Sequence, residues 1–96
     1  MSDVIDKAVA ALREKLAGET LPGSALFRIG EEGCVRVDSD GVHAGEGEAD
    51  VTLTADAETF RGILSGEVNP TTAYMTGRLK LEGDMGVAMK LAGLLA

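Results

Sequence analysis

The chain has 96 residues, nine Lys and Arg against sixteen Asp and Glu, and a net charge of -7. That length suits one domain, residues 1–96, with a single modest core, and the acidic balance argues against nucleic acid or an anionic membrane surface as the main partner, since both need a basic footprint. With no Trp, one Tyr and two Phe there is no stacking platform for bases, and Cys34 as the single cysteine allows no internal disulfide.

Ser2 is a suitable N-cap, and Asp3 and Asp6 put negative charge where the helix dipole favours it. Ile5, Ala8, Val9, Leu12 and Leu16 recur on one face, with Lys7, Arg13 and Glu14 on the other. This spacing predicts an amphipathic helix to about Ala17, ended by Gly18 and followed by a turn at Pro22-Gly23. From Ser24 to about Ala55 the period becomes two. Ala25, Phe27 and Ile29 alternate with Ser24, Leu26 and Arg28; Val35 and Val37 with Cys34, Arg36 and Asp38; Val51, Leu53 and Ala55 with Thr52 and Thr54. Residues 30–33 and 38–41 carry turn chemistry, residues 42–44 make a further short strand, and residues 45–48 bend the chain. An antiparallel sheet with one wet face is expected.

Asp56 caps a second helix with Phe60, Ile63 and Leu64 on one side, and Gly66 ends it. Asn69-Pro70 reads as N-cap and first-turn proline of a short helix through Tyr74 and Met75. Residues 77–83 alternate as a strand, Asp84 is the next N-cap, and from Met85 to Leu95 only Lys90 is charged. This last helix is about 16 Å long by its 1.5 Å rise, too short to cross a bilayer. Its apolar arc is wider than packing on one sheet face requires, so its own domain, a partner subunit or an apolar ligand must cover the rest. The order of elements is that of an α+β domain with helices on one sheet face.

Chemistry-bearing motifs are sparse. Gly45-Glu46-Gly47 lacks the third glycine of a dinucleotide loop and leads into a strand. Asp38-Ser39-Asp40-Gly41 starts like a calcium loop, but its glycine comes two places early and an Asp-Gly hairpin turn accounts for it. His43 is alone, Cys34 adds too few ligands for zinc, and no spacing singles out a nucleophilic serine. Catalytic residues, metal ligands and cofactors are therefore expected to be none. Met75, Met85 and Met89 suit either irregular core space or a cavity that must fit a variable alkyl chain.

Residues 50–92 closely resemble the sterol carrier protein type 2 family of non-specific lipid-transfer proteins. The resemblance runs through the strand at Asp50, the helix with Phe60, the Asn69-Pro70 turn, the Tyr74-Met75 pair, and residues 77–85 running into Lys90-Leu91. Residues 45–50 also look like the family's; residues 1–40 match only in pattern. The resemblance implies a five-stranded, mainly antiparallel sheet with helices over one face, an apolar tunnel between them, and fatty acid, acyl-CoA, phospholipid or sterol-like ligands held without a cofactor. It places Phe60, Ile63, Leu64, Tyr74, Met75, Met85, Ala88, Met89 and Ala92 at the ligand. Within the last helix the Met85/Met89 flank is the principal contact, and Ala88, Leu91, Ala92 and Leu95 chiefly hold the helix on the domain. A single clear N-terminal helix and a chain ending just after the last helix imply a tunnel that is shallower or completed by another subunit.

The expectation is thus a cytoplasmic, non-enzymatic binder or carrier of a lipid or other apolar small molecule, without nucleic acid or stable membrane insertion. The alternative is an interaction module, including a homodimer, built on the apolar C-terminal helix.

Overall fold

The computed structural model describes residues 3–95. The expected cap Ser2 lies outside them. Helix α1, Asp3–Lys15, buries Ile5, Ala8 and Leu12 on the face that the spacing predicts and ends two residues earlier than expected. Four strands follow: β1 Ala25–Ile29, β2 Gly33–Asp38, β3 Gly41–Ala44 and β4 Val51–Ala55. Then come α2 Ala57–Ser65, α3 Pro70–Met75, β5 Lys80–Gly83 and α4 Met85–Leu95. Among the described residues, no helix is long and apolar enough to cross a membrane.

The sheet order is β3-β2-β1-β4-β5. Three pairings are antiparallel, and the central β1–β4 pairing is parallel, so the sheet is mixed where alternation alone suggested an antiparallel one. Register sets one row across the helix-facing side, Val35 beside Phe27, Phe27 beside Leu53 and Leu53 beside Leu81. Helix α1 lies over β2 and β3 and touches α2, while α4 lies over β4 and β5 and touches α3. The Arg13 guanidinium donates from Nη2 (3.0 Å) and Nε (3.3 Å) to the Val42 carbonyl, tying α1 to the outer strand β3.

Two local features depart from the sequence pattern for identifiable reasons. Strand β5 starts at Lys80, not at position 77, because the N–H groups of Arg78 and Leu79 both donate to the Ala73 carbonyl (2.9 and 3.1 Å) and hold these residues to the end of α3. Leu26 and Cys34, in the phase that should face water, are buried. The segment 45–50 crosses that face: Gly47 lies against the Arg36 guanidinium, and Glu46 accepts from Arg28 (3.0 Å). Further on, Gly83 has φ +113°, and a Cβ there would run into the Asp50 carbonyl and come within 3.0 Å of Val51 Cα. That carbonyl accepts the Asp84 N–H at 2.7 Å, which fixes where β5 ends and α4 begins.

Candidate functional site

Each helix around the site is held by its own cap. Asp56 Oδ1 accepts the Thr59 N–H (2.7 Å) at the start of α2, and Gly66, at φ +86°, closes its end. Asn69 Oδ1 accepts from Thr71 (2.8 Å) and Thr72 (3.3 Å), and Pro70 opens α3. Asp84 Oδ1 accepts the Val87 N–H at 3.1 Å and starts α4.

These three helices close an apolar cavity of about 60 Å³ over the sheet row Phe27, Leu53 and Leu81, with Leu79 at its side. Helix α2 contributes Phe60 and Ile63; α3 contributes Pro70, Thr71 and Tyr74; α4 contributes Met85, Ala88, Met89, Ala92 and Leu95. Phe60 meets Phe27 edge to face, ring centroids 5.1 Å apart and planes at 71°, which stiffens the inner wall. Only the Thr71 hydroxyl and the Tyr74 phenol bring polar side-chain atoms to the lining, and it contains no carboxylate, amine, imidazole or thiol. Such walls can select for apolar shape.

Seven of the nine residues singled out from the sequence meet around this cavity: Phe60, Ile63, Tyr74, Met85, Ala88, Met89 and Ala92. Leu64 points instead into an open groove of about 510 Å³ between α1 and α2, which Phe60 also borders. One residue along a helix turns the side chain by 100°, so Leu64 leaves the face that Ile63 presents to the cavity. Met75 lines neither space and is 79% exposed. The sequence reading missed the floor. Phe27, Leu53, Leu79 and Leu81 each show the period-two signal of an inward side chain, but aligning them requires the β1–β4 pairing, which joins strands far apart in sequence. In α4 the domain itself covers Val87, Ala88, Leu91 and Leu95, whereas Met85 and Met89 stay exposed.

Other reactive groups lie apart from this cavity. Burial pushes the Cys34 thiol up from its ordinary pKa; Glu46 adds to the shift, and the opposing pull of Arg28 does not cancel it. The Asp40 N–H holds the Asp38 carboxyl below its usual range, helped by His43, whose Nε2 is 3.4 Å away, and by Arg36. Among the described residues, no three His, Cys, Asp or Glu side chains are grouped so as to hold a metal ion.

The fold and its cavity define a class: an α+β domain with a five-stranded mixed sheet and four helices, three of which close an apolar space against the sheet. Comparison with known proteins narrows it, for residues 2–96 match the SCP-2 sterol transfer family, and the chain belongs to that family. Hydroxysteroid dehydrogenase-like protein 2 of Xenopus tropicalis is 36% identical over 97 residues, covering 93% of this chain and 23% of its own length. The chain spans only 14 to 25% of the length of several such relatives. The sterol carrier protein domain 2 of Helicoverpa armigera superimposes with a TM-score of 0.78 at 28% identity, over 96% of this chain and 85% of that one. Palmitated SCP2L2 of Aedes aegypti superimposes with a TM-score of 0.71 at 25% identity, over 99% and 95%.

Proposed function

We propose that this chain binds and carries a lipid by reversible burial of its alkyl chain in the cavity between the sheet and helices α2, α3 and α4. The observation that carries this reading is the lining itself, apolar at all but two of its side chains and free of chemically active groups. The palmitated relative from Aedes aegypti supports a fatty acid as the ligand class, with acyl-CoA, phospholipid and sterol-like lipids as neighbouring candidates. Phe60, Ile63, Tyr74, Met85, Ala88, Met89 and Ala92 are the proposed contacts. No covalent step is involved, and the single Cys34 suits a reducing, cytoplasmic setting.

At about 60 Å³ the cavity is closed down, because sites for ligands of drug-like size occupy roughly 300–1,000 Å³. Loading must therefore spread its walls. Met85 and Met89, unbranched and exposed on one side, are the wall elements that move at least cost. A sixteen-carbon chain buried throughout gains at most roughly 12 kcal/mol, at about 0.8 kcal/mol per methylene, before ordering and association costs. Native mass spectrometry of the purified protein should show co-purifying lipid. Saturable uptake of a fluorescent fatty acid should be abolished by Met89→Asp while circular dichroism stays native. Absence of uptake across fatty acids, acyl-CoAs and phospholipids refutes this function.

A further inference from the structure

The groove between α1 and α2, about 510 Å³, shares Phe60 with the cavity and is otherwise lined by different residues. Its width follows from the side chains that meet there. On α1 the stripe facing it is Val4, Lys7, Ala8 and Ala11, spaced i, i+3, i+4 and i+7; on α2 it is Ala57, Phe60, Arg61 and Leu64, in the same spacing. Alanines at 8, 11 and 57 are too short to fill the space between two helices, and the buried Ile29 and Phe60 form its floor. The rim carries one sign of charge. Lys7 and Arg61 are exposed and border the groove from opposite walls, and no carboxylate joins them in the lining. Asp3, one turn before Lys7, and Glu58, three residues before Arg61, do not border it, and among the described residues neither cation forms an ion pair. The Ser65 hydroxyl, also in the lining, donates to the Gly62 carbonyl at 3.1 Å. A wall of cations alone stands out in a chain with nine Lys and Arg against sixteen Asp and Glu. Two other recesses of similar size show the mixed pattern. Arg13 and His43 are accompanied by Glu19, Asp38 and Asp40 around one of about 520 Å³, and Arg28 by Asp6, Glu31, Glu32 and Glu46 around one of about 610 Å³.

We propose that this groove is a second binding site, separate from the lipid cavity, for a small amphiphilic carboxylate: the anionic head lies between Lys7 and Arg61, and the alkyl body lies along the alanine-lined walls. Its volume falls within the roughly 300–1,000 Å³ of small-molecule sites. From Val4 to Ala11 the α1 wall runs about 10 Å at 1.5 Å per residue, the reach of a chain of about eight carbons. A guanidinium takes a carboxylate through two parallel hydrogen bonds, and an ammonium adds a compact charge. Their stems lie along apolar surface and let both cations follow the head while the helices stay in place. A neutral alcohol of the same length gains the walls without the rim, and an alkylammonium is repelled by it. The groove requires nothing of the cavity, whose own lining carries no charged side chain.

Titration of the isotope-labelled chain with octanoate, followed through its amide chemical shifts, tests this. Amides of α1 and α2 around Ala8, Ala11 and Leu64 should shift saturably, and 1-octanol should bind about fivefold more weakly or worse. Lys7→Gln and Arg61→Gln should each lower octanoate affinity about fivefold and leave octanol affinity as it was. Both variants should keep native circular dichroism and full uptake of a long-chain fatty acid. Met89→Asp, directed at the cavity, should leave the octanoate response in place. Equal binding of octanoate and octanol, shifts confined to α4, loss of the response in Met89→Asp, or insensitivity to both Gln variants would each overturn the assignment. So would shifts of the same α1 and α2 amides on raising protein concentration alone, which would put a second copy of the chain in the groove.

Discussion

Replacing Ala92 by Leu should move stability and ligand binding in opposite directions. Ala92 is half-buried on α4 and its methyl faces the cavity. A leucine there leans toward the preceding turn, over Ala88 and Met89, which also line the space. Three added carbons at about 0.8 kcal/mol each give an upper gain of roughly 2.4 kcal/mol. Ordering the leucine side chain costs about 0.5–1 kcal/mol, which leaves about 1.5 kcal/mol of net stabilisation. For a domain of this size that corresponds to a rise in Tm of roughly 6–12 °C. Urea unfolding measures the first effect and fluorescent fatty acid uptake the second. A higher midpoint with uptake lost would mean that the filled space is the ligand's space. An unfolding free energy lowered by more than about 1 kcal/mol would show that no room exists there, since overpacking costs about that much. A raised midpoint with full uptake would place the ligand elsewhere.

Two further perturbations probe the supports of the site. Gly83→Ala puts a methyl against the Asp50 carbonyl at a positive φ, and should cost roughly 2 kcal/mol or more in denaturant unfolding, loosening the junction that launches α4. Asp56→Asn should remove part of the acid sensitivity of folding. The Thr59 backbone N–H holds the Asp56 carboxyl below its usual range, with help from the Thr59 side chain and Arg78. A depressed pKa contributes stability above the unfolded value of about 3.9 and loses it as pH falls through the folded value, so the wild-type chain should weaken along that limb. Asn keeps the capping acceptor without titrating, and its unfolding midpoint should change less between neutral pH and pH values below that range.

The helices were legible because their ends are written in single residues. Asp56, Asn69 and Asp84 cap in the structure as their side chains suggest, and Gly66 closes α2. The strands were legible individually, but their neighbours were not. Nothing local in residues 25–29 or 51–55 says that these strands run side by side in the same direction, because that pairing joins segments separated in the chain by two other strands. Leu26 looked solvent-facing by period, and only the strap of residues 45–50 folding over that side explains its burial. Of the site, the helical wall could be read from spacing and family resemblance together, whereas the floor waited for register. Met75 shows the limit of positional carry-over: it adjoins Tyr74 in sequence, yet the end of α3 turns it outward.

The bond from Arg13 to the Val42 carbonyl bears on what happens between molecules as well as within one. Strand β3 ends the sheet on one side, and its outward backbone groups would offer a template to an extended segment of another chain. The guanidinium already occupies one of those acceptors and sets a cation across the approach. At the opposite border, β5 is only four residues long and carries Lys80 and Glu82. Both borders are thereby discouraged from edge-to-edge association. Loss of the Arg13 side chain should show first as aggregation on storage or during refolding, before any change in the contents of the cavity.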